Sequence, residues 1–254
     1  MPAEATSYRF RAALMTGMQP IMPREGFAFH RTPRRVYFIG FNKTATSSLA
    51  IMMMASGVLS IHSSGNGKLF GRSEREQARI PHATQHMLAN IEAGRPPILG
   101  LEDYDAFMDL TVGPTDLCLQ FETFFAADPN ALFILNTRPL EEWITSRIAH
   151  RRSVKQAARH YKLTADQVIE KWRSEHHAHH AHARALFAKQ APEQFLEWDI
   201  RSPATGLSEF LTSHGIAVNP EYYFKIRETG GLFLPPPLRA IIADVNVPIE
   251  AGPG

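Results

Sequence analysis

Three short apolar runs punctuate the chain, at residues 36–40, 97–101 and 131–136, and a fourth strand-like segment, 195–200, carries Glu197 and Asp199 among apolar positions; each is bounded by polar or proline- and glycine-containing stretches. Runs that are apolar throughout, rather than alternating with polar positions, suit strands buried on both faces. Behind the first run, the sequence from Ser47 onward is rich in Leu and Met and reads as a helix. Behind the third, Pro139-Leu140-Glu141-Glu142-Trp143 reads as a helix start, with proline at an early position where its missing N–H costs nothing. Residues 153–190 are polar with helical spacing, and Thr164-Ala165-Asp166-Gln167 supplies an N-cap signal for a helix carrying Trp172. Strands that alternate with helices predict an α/β fold: a three-layer, open, mostly parallel sheet with helices on both faces.

The pattern fades at both ends. Residues 1–33 hold Pro2, Pro20, Pro23 and Pro33 without sustained periodicity, so they read as an N-terminal arm. Residues 34–227 form the predicted α/β domain. Residues 228–254, with Gly230-Gly231, Pro235-Pro236-Pro237, Pro248 and Pro253, form a tail with at most one helix turn around 238–243. Residues 63–79 around Gly65-Asn66-Gly67 read as a surface loop or lid.

A length of 254 residues suits one large domain with a sizeable core, and 44% hydrophobic against 20% charged residues is an ordinary globular balance. The formal charge of +2 is too small for a general nucleic-acid binder, so no nucleic-acid partner is expected; association into an oligomer is compatible with the composition. No stretch approaches the roughly 18 apolar residues of a membrane span, and residues 8–22 are interrupted by Arg9, Arg11, Gly17 and Pro20, which makes a cytoplasmic protein the expectation. Cys118, the single cysteine, excludes an intrachain disulfide and reads as a small buried hydrophobe between Leu117 and Leu119.

The candidate chemistry lies where strands hand over to helices. Gly40-Phe41-Asn42-Lys43-Thr44-Ala45-Thr46-Ser47-Ser48-Leu49 follows the first strand and opens the first helix, the context a phosphate-cradling loop needs. Unpaired N–H groups and the helix dipole would face an anion there. Lys43 would add an ammonium, and Thr44, Thr46, Ser47 and Ser48 would add hydroxyl donors. Asn42 stands where the ATP-binding phosphate loop has the glycine before its lysine, which counts against an ordinary ATPase.

This segment resembles the first loop of bacterial PAPS-dependent sulfotransferases, enzymes whose donor is 3'-phosphoadenosine 5'-phosphosulfate (PAPS), which reads Gly-Phe-x-Lys-Thr-Gly-Thr-Thr-Ser-Leu. The resemblance implies a P-loop-like sulfotransferase architecture in which Asn42, Lys43, Thr44, Ala45, Thr46, Ser47 and Ser48 hold the 5'-phosphosulfate and Lys43 stabilises the leaving oxygen. Ala45 departs from the family glycine; if that position needs a positive φ, alanine strains the turn. Residues 133–146, Phe-Ile-Leu-Asn-Thr-Arg-Pro-Leu-Glu-Glu-Trp-Ile-Thr-Ser, are similar to the second sulfotransferase signature, which implies that Arg138 and Ser146 hold the 3'-phosphate and so select PAPS over ATP. Arg147, Arg151 and Arg152 read either as a solvated helix face or as further contacts.

Between the signatures, Glu102-Asp103-Tyr104-Asp105-Ala106-Phe107-Met108-Asp109 gathers four carboxylates. Its resemblance to the family segment Tyr-Asp-Ala-Phe-x-Asp makes Asp109 the first candidate for the general base, with Asp105 and His62 in reserve. Asp109 as a helix cap is the bland alternative. Residues 225–231, Lys-Ile-Arg-Glu-Thr-Gly-Gly, are similar to the family's nucleotide-closing loop, which would bring Arg227 to the 3'-phosphate. His176, His177, His179, His180 and His182 share a predicted helix; a solvated face is the expected reading, a metal site the rival, and no metal is expected to take part. The expected reaction is in-line sulfuryl transfer from PAPS to a hydroxyl or amine on a small-molecule or carbohydrate acceptor. A kinase-like phosphotransferase and a noncatalytic nucleotide-binding module are the alternatives.

Overall fold

The computed structural model describes residues 30–63, 83–150 and 153–223. Five parallel strands form one sheet in the order β2 (Ser60–His62), β3 (Ala106–Met108), β1 (Val36–Phe38), β6 (Leu132–Thr137) and β7 (Phe195–Asp199). A short antiparallel hairpin, β4 (Thr111–Val112) with β5 (Thr115–Asp116), follows β3. Seven α-helices surround the sheet among the described residues: α1 (Thr46–Ala55), α2 (Ala83–Glu92), α3 (Phe121–Ala127), α4 (Leu140–Ala149), α5 (Ser153–Tyr161), α6 (Ala165–Gln190) and α7 (Ala204–Ser213).

Side-chain alternation divides the core into two layers. Val36, Phe38, Ala106, Met108, Leu132 and Ile134 face α1 and α7, packing on Leu49, Met52, Met53, Leu207 and Leu211. Tyr37, Ile39, Phe107, Phe133 and Leu135 face the other helices, against Phe121, Phe124, Trp143, Trp172 and Phe187. The apolar runs are continuous because both faces of the strands are covered. The expected three-layer α/β sheet is the one the chain forms.

Two expectations change. Residues 97–101 are turns rather than a strand: Pro96 and Pro97 deny the ladder its N–H groups, Gly100 takes φ 85°, and Asn90 donates to the Pro97 and Leu99 carbonyls at 3.1 and 2.9 Å. The strand lies nine residues further on, at β3, inside the acidic segment. Residues 60–62 form the edge strand β2, which the sequence reading left unassigned. The Thr164 cap forms as expected, with a capping box through Gln167. Among the described residues, no helix is long and apolar enough to cross a membrane.

Candidate active site

All five strands of the sheet run parallel, so their C-terminal ends open on one edge, and the β1–α1 turn rises there between β3 and β6. Gly40 makes this turn geometrically possible. A Cβ on it would stand 1.9 Å from the Asn136 carbonyl oxygen, so the two strand ends could not approach with any other residue. Asn136, fully buried at the end of β6, then ties the turn down. Its Oδ1 accepts from the Gly40 N–H at 3.0 Å, and its Nδ2 donates to the Thr44 carbonyl at 2.9 Å and to Thr44 Oγ1 at 2.7 Å. From α4, Trp143 Nε1 donates to the Asn42 carbonyl at 2.9 Å, and from the link between β6 and α4 Arg138 donates to the Lys43 carbonyl at 3.2 Å. The turn is thus held in an unusual shape by its neighbour strand, with Lys43 at φ 69° and Ala45 at φ 60°.

Ala45 is the N-cap of α1 in the left-handed region, and no side chain caps that helix. Alanine there carries about 1–2 kcal/mol of strain that glycine would not.

The turn lines a cleft of about 490 Å³ with Asn42, Lys43, Ala45, Thr46, Ser47 and Ser48. His62 and Asp109 form the β2–β3 side, and Arg138, Glu142 and Ser146 the β6–α4 side. His150, Ile200, Arg201 and Tyr223 complete it. Both expected signatures therefore open into the same cavity. Thr44 stands apart from its expected group: its hydroxyl is buried and donates back to the Phe41 carbonyl, so it shapes the turn from beneath.

Asp109 sits just past β3 at φ 55°, with Oδ2 3.5 Å from His62 Nε2. The same imidazole nitrogen lies 3.2 Å from Thr46 Oγ1 and 3.4 Å from Ser47 Oγ, which links the acid to the start of α1. Asp105 goes elsewhere. It precedes β3 at the opposite edge of the sheet, buried against Arg31 Nη1 at 3.2 Å, and burial raises its carboxyl to about 6 despite that cation. Period-two geometry and strand direction place it about 10 Å or more along the chain from Asp109, outside the cleft. Arg227, Arg151 and Arg152, like residues 1–29 of the arm, residues 64–79 of the loop and the tail, fall outside the described residues.

Three buried polar atoms on cleft residues have no hydrogen-bond partner among the described residues: Asn42 Oδ1, Asp109 Oδ1 and Arg138 Nε. Six further such atoms lie outside the cleft among the described residues, four of them on Arg147, His176 and His179 behind the turn, so missing partners alone do not single out the cleft. Tyr223 adds a neutral hydroxyl: burial, with Asp199 nearby, pushes its phenol up to about 12, and it donates to the Ile200 carbonyl at 3.0 Å.

The structure adds residues the sequence reading passed over. Asn136 had a legible signal, a polar side chain ending a buried apolar run. Glu142, His150, Arg201 and Tyr223 had none, because only the fold brings them to the cleft. The histidine expectation holds for His177 and His182, which are exposed, and is corrected for the other three. His176, His179 and His180 are buried rather than solvated, packed on Phe41 and Trp143 behind the turn, and His179 Nε2 donates to the Ile39 carbonyl at 2.8 Å. Arg147, read as part of a basic surface, is likewise buried, paired with Asp116 at 2.6 Å and stacked 4.3 Å from the Trp172 ring centroid.

A family model described as a sulfotransferase domain matches residues 35–191. The match takes in the β1–α1 turn, Asp109, Arg138 and Ser146, and ends before Arg201. No curated protein matches the chain.

Proposed function

Because this chain belongs to the sulfotransferase family, matched over residues 35–191, we propose that it takes a sulfuryl group from PAPS and passes it to a hydroxyl or amine acceptor by in-line displacement. One observation carries the reading: the β1–α1 turn and the Arg138–Ser146 pair line one cleft, as two grips on opposite ends of a doubly phosphorylated nucleotide would have to. The chemistry of the lining supports it. Donors crowd the start of α1, where a 5'-phosphosulfate gains from free N–H groups, the hydroxyls of Thr46, Ser47 and Ser48, and the helix dipole. Beside the turn, where it donates to the Lys43 carbonyl, Arg138 offers a guanidinium with a buried, unsatisfied Nε to a terminal phosphate, and Ser146 a hydroxyl.

Bound there, PAPS supplies a sulfuryl group on a phosphate–sulfate anhydride. Lys43 stabilises negative charge on the phosphate oxygen as its bond to sulfur breaks. Asp109 takes the acceptor proton as the acceptor oxygen or nitrogen bonds to sulfur, and His62 keeps that carboxylate turned toward α1. The products are the sulfated acceptor and 3'-phosphoadenosine 5'-phosphate (PAP). The kinase alternative is disfavoured by Asn42, which replaces the glycine of an ATP-binding phosphate loop.

The test is PAP release from PAPS in the presence of a panel of small-molecule and carbohydrate acceptors. Lys43→Ala is expected to lower kcat by about 10²-fold or more while the unfolding midpoint stays put. Turnover unchanged in that variant, or ATP consumed in place of PAPS, would reject the reading.

A further inference from the structure

The carboxylate of Glu142 occupies the space between two guanidinium groups. Arg138 Nη2 donates to its Oε2 at 3.3 Å and Arg201 Nη1 to its Oε1 at 3.2 Å. The two arginines come from adjacent parallel strand ends, where β6 and β7 pair with Thr137 opposite Asp199. Asp199 fixes the second arginine: its carboxylate accepts from Arg201 Nε at 3.0 Å and from Nη2 at 2.6 Å, which turns Nη1 toward Glu142. All three of Arg138, Glu142 and Arg201 line the cleft, beside Ser146.

Resting on the proposed donor site, we propose that Arg201 is a second cationic arm for the 3'-phosphate and that Glu142 is the internal counter-ion which that phosphate displaces. The charges set the direction of selection. Glu142 brings one negative charge to the pair, whereas a phosphate monoester brings about 1.5 to 2 and three acceptor oxygens. A 3'-phosphorylated ligand gains more from the two guanidiniums than the carboxylate does; a ligand with a 3'-hydroxyl gains less and leaves the carboxylate in place. Arg138 Nε, buried without a partner among the described residues, is a donor that Glu142 does not reach in this arrangement. Glu142 thereby keeps the two guanidiniums paired while the site is empty, and it weakens nucleotides that carry the 3'-phosphate while leaving those that lack it nearly untouched. Arg201 lies beyond the residues matched by the family.

Calorimetric titration of the full chain with PAP and with ADP tests this at fixed ionic strength, because both ligands carry a 5'-phosphate group and only PAP carries the 3'-phosphate. Arg201→Gln is expected to weaken PAP about tenfold and ADP little, the range for one partly exposed charge-assisted contact. Glu142→Gln is expected to tighten PAP about threefold to tenfold and to leave ADP nearly unchanged. Unchanged PAP affinity in both variants, with Arg138→Ala still weakening it, would overturn the inference and spare the donor-site reading. Equal weakening of PAP and ADP in Arg201→Gln would place that arginine at the other end of the ligand and overturn it as well. A wild-type chain that binds ADP as well as PAP would bring down both.

Discussion

Phe41 has polar neighbours on two sides, and they do opposite things. In front of it, the turn from Asn42 to Ser48, Thr44 apart, lines the cleft, where Asn42 Oδ1 and Arg138 Nε are buried without a hydrogen-bond partner among the described residues. Behind it, His176 and His180 stack on the ring and His179 meets it edge-on, with His176 and His180 3.9 Å apart at their centroids, and Arg147 lies over Trp143 and Trp172 with Asp116 as its counter-ion. In the proposed reading the front binds and the back holds the front in position. Residue type alone does not separate them, since both are rich in groups that commonly serve as ligands or catalysts. What separates them is which side of one strand-to-helix turn they face.

Removing the back wall's counter-ion should break that division most severely. Asp116→Ala leaves Arg147, 3% exposed, as an uncompensated buried charge and also frees the Thr111 hydroxyl, which donates to Asp116 at 3.2 Å. A loss of about 3–5 kcal/mol is expected in urea unfolding. Acid should act next, through the stacked histidines. Burial holds His176 at about 4 and His180 at about 3, below the ordinary value of 6.5, so the unfolded chain binds protons that the folded chain refuses. The stability they contribute is complete above pH 6.5 and is lost as pH falls toward 3, on the order of a few kcal/mol across that window. Unfolding midpoints measured between pH 7.5 and 4.5 should show this slope, and His180→Gln should flatten it.

Two front-side changes are smaller. Asn136→Ala removes the acceptor for the Gly40 N–H and the donor to Thr44, and about 2 kcal/mol of stability is expected to go with them. Nucleotide affinity should fall further than stability accounts for, because the turn loses its shape. Ala45→Gly should run the other way. Glycine adopts φ 60° without strain but gives up backbone entropy, leaving a net gain of about 0.5–1 kcal/mol, visible as a raised Tm. A destabilised glycine variant would show that the left-handed turn is not strained by alanine.

β1 and β6 were legible because they are unbroken apolar runs buried on both faces, and the turns at Gly40 and Arg138 because strand, loop and helix follow one another directly in sequence. β3 was displaced in the reading because residues 97–101 are as apolar as a strand; the two prolines beside them and Gly100 should have weighed more. Asp109, the first candidate base, and Asp105, its reserve, stand four residues apart in one acidic segment. A three-residue strand between them sends one to each edge of the sheet, and only pairing with β1 and β2 reveals that. The histidine helix misled for a different reason: polar residues on one face imply solvent unless a second aromatic layer covers them, as Phe41, Trp143 and Phe121 do here. Arg201 joins the cleft only through the adjacency of β6 and β7, which no local pattern encodes.

The central claim is that two turns hold the two ends of one nucleotide, and a crystal structure of the chain with PAP tests it most directly. The account expects the 5'-phosphate on the N–H groups and hydroxyls at the start of α1 beside Lys43, and the 3'-phosphate on Arg138 and Ser146. PAP bound in the reverse direction, or seated outside the cleft shared by those residues, would contradict it.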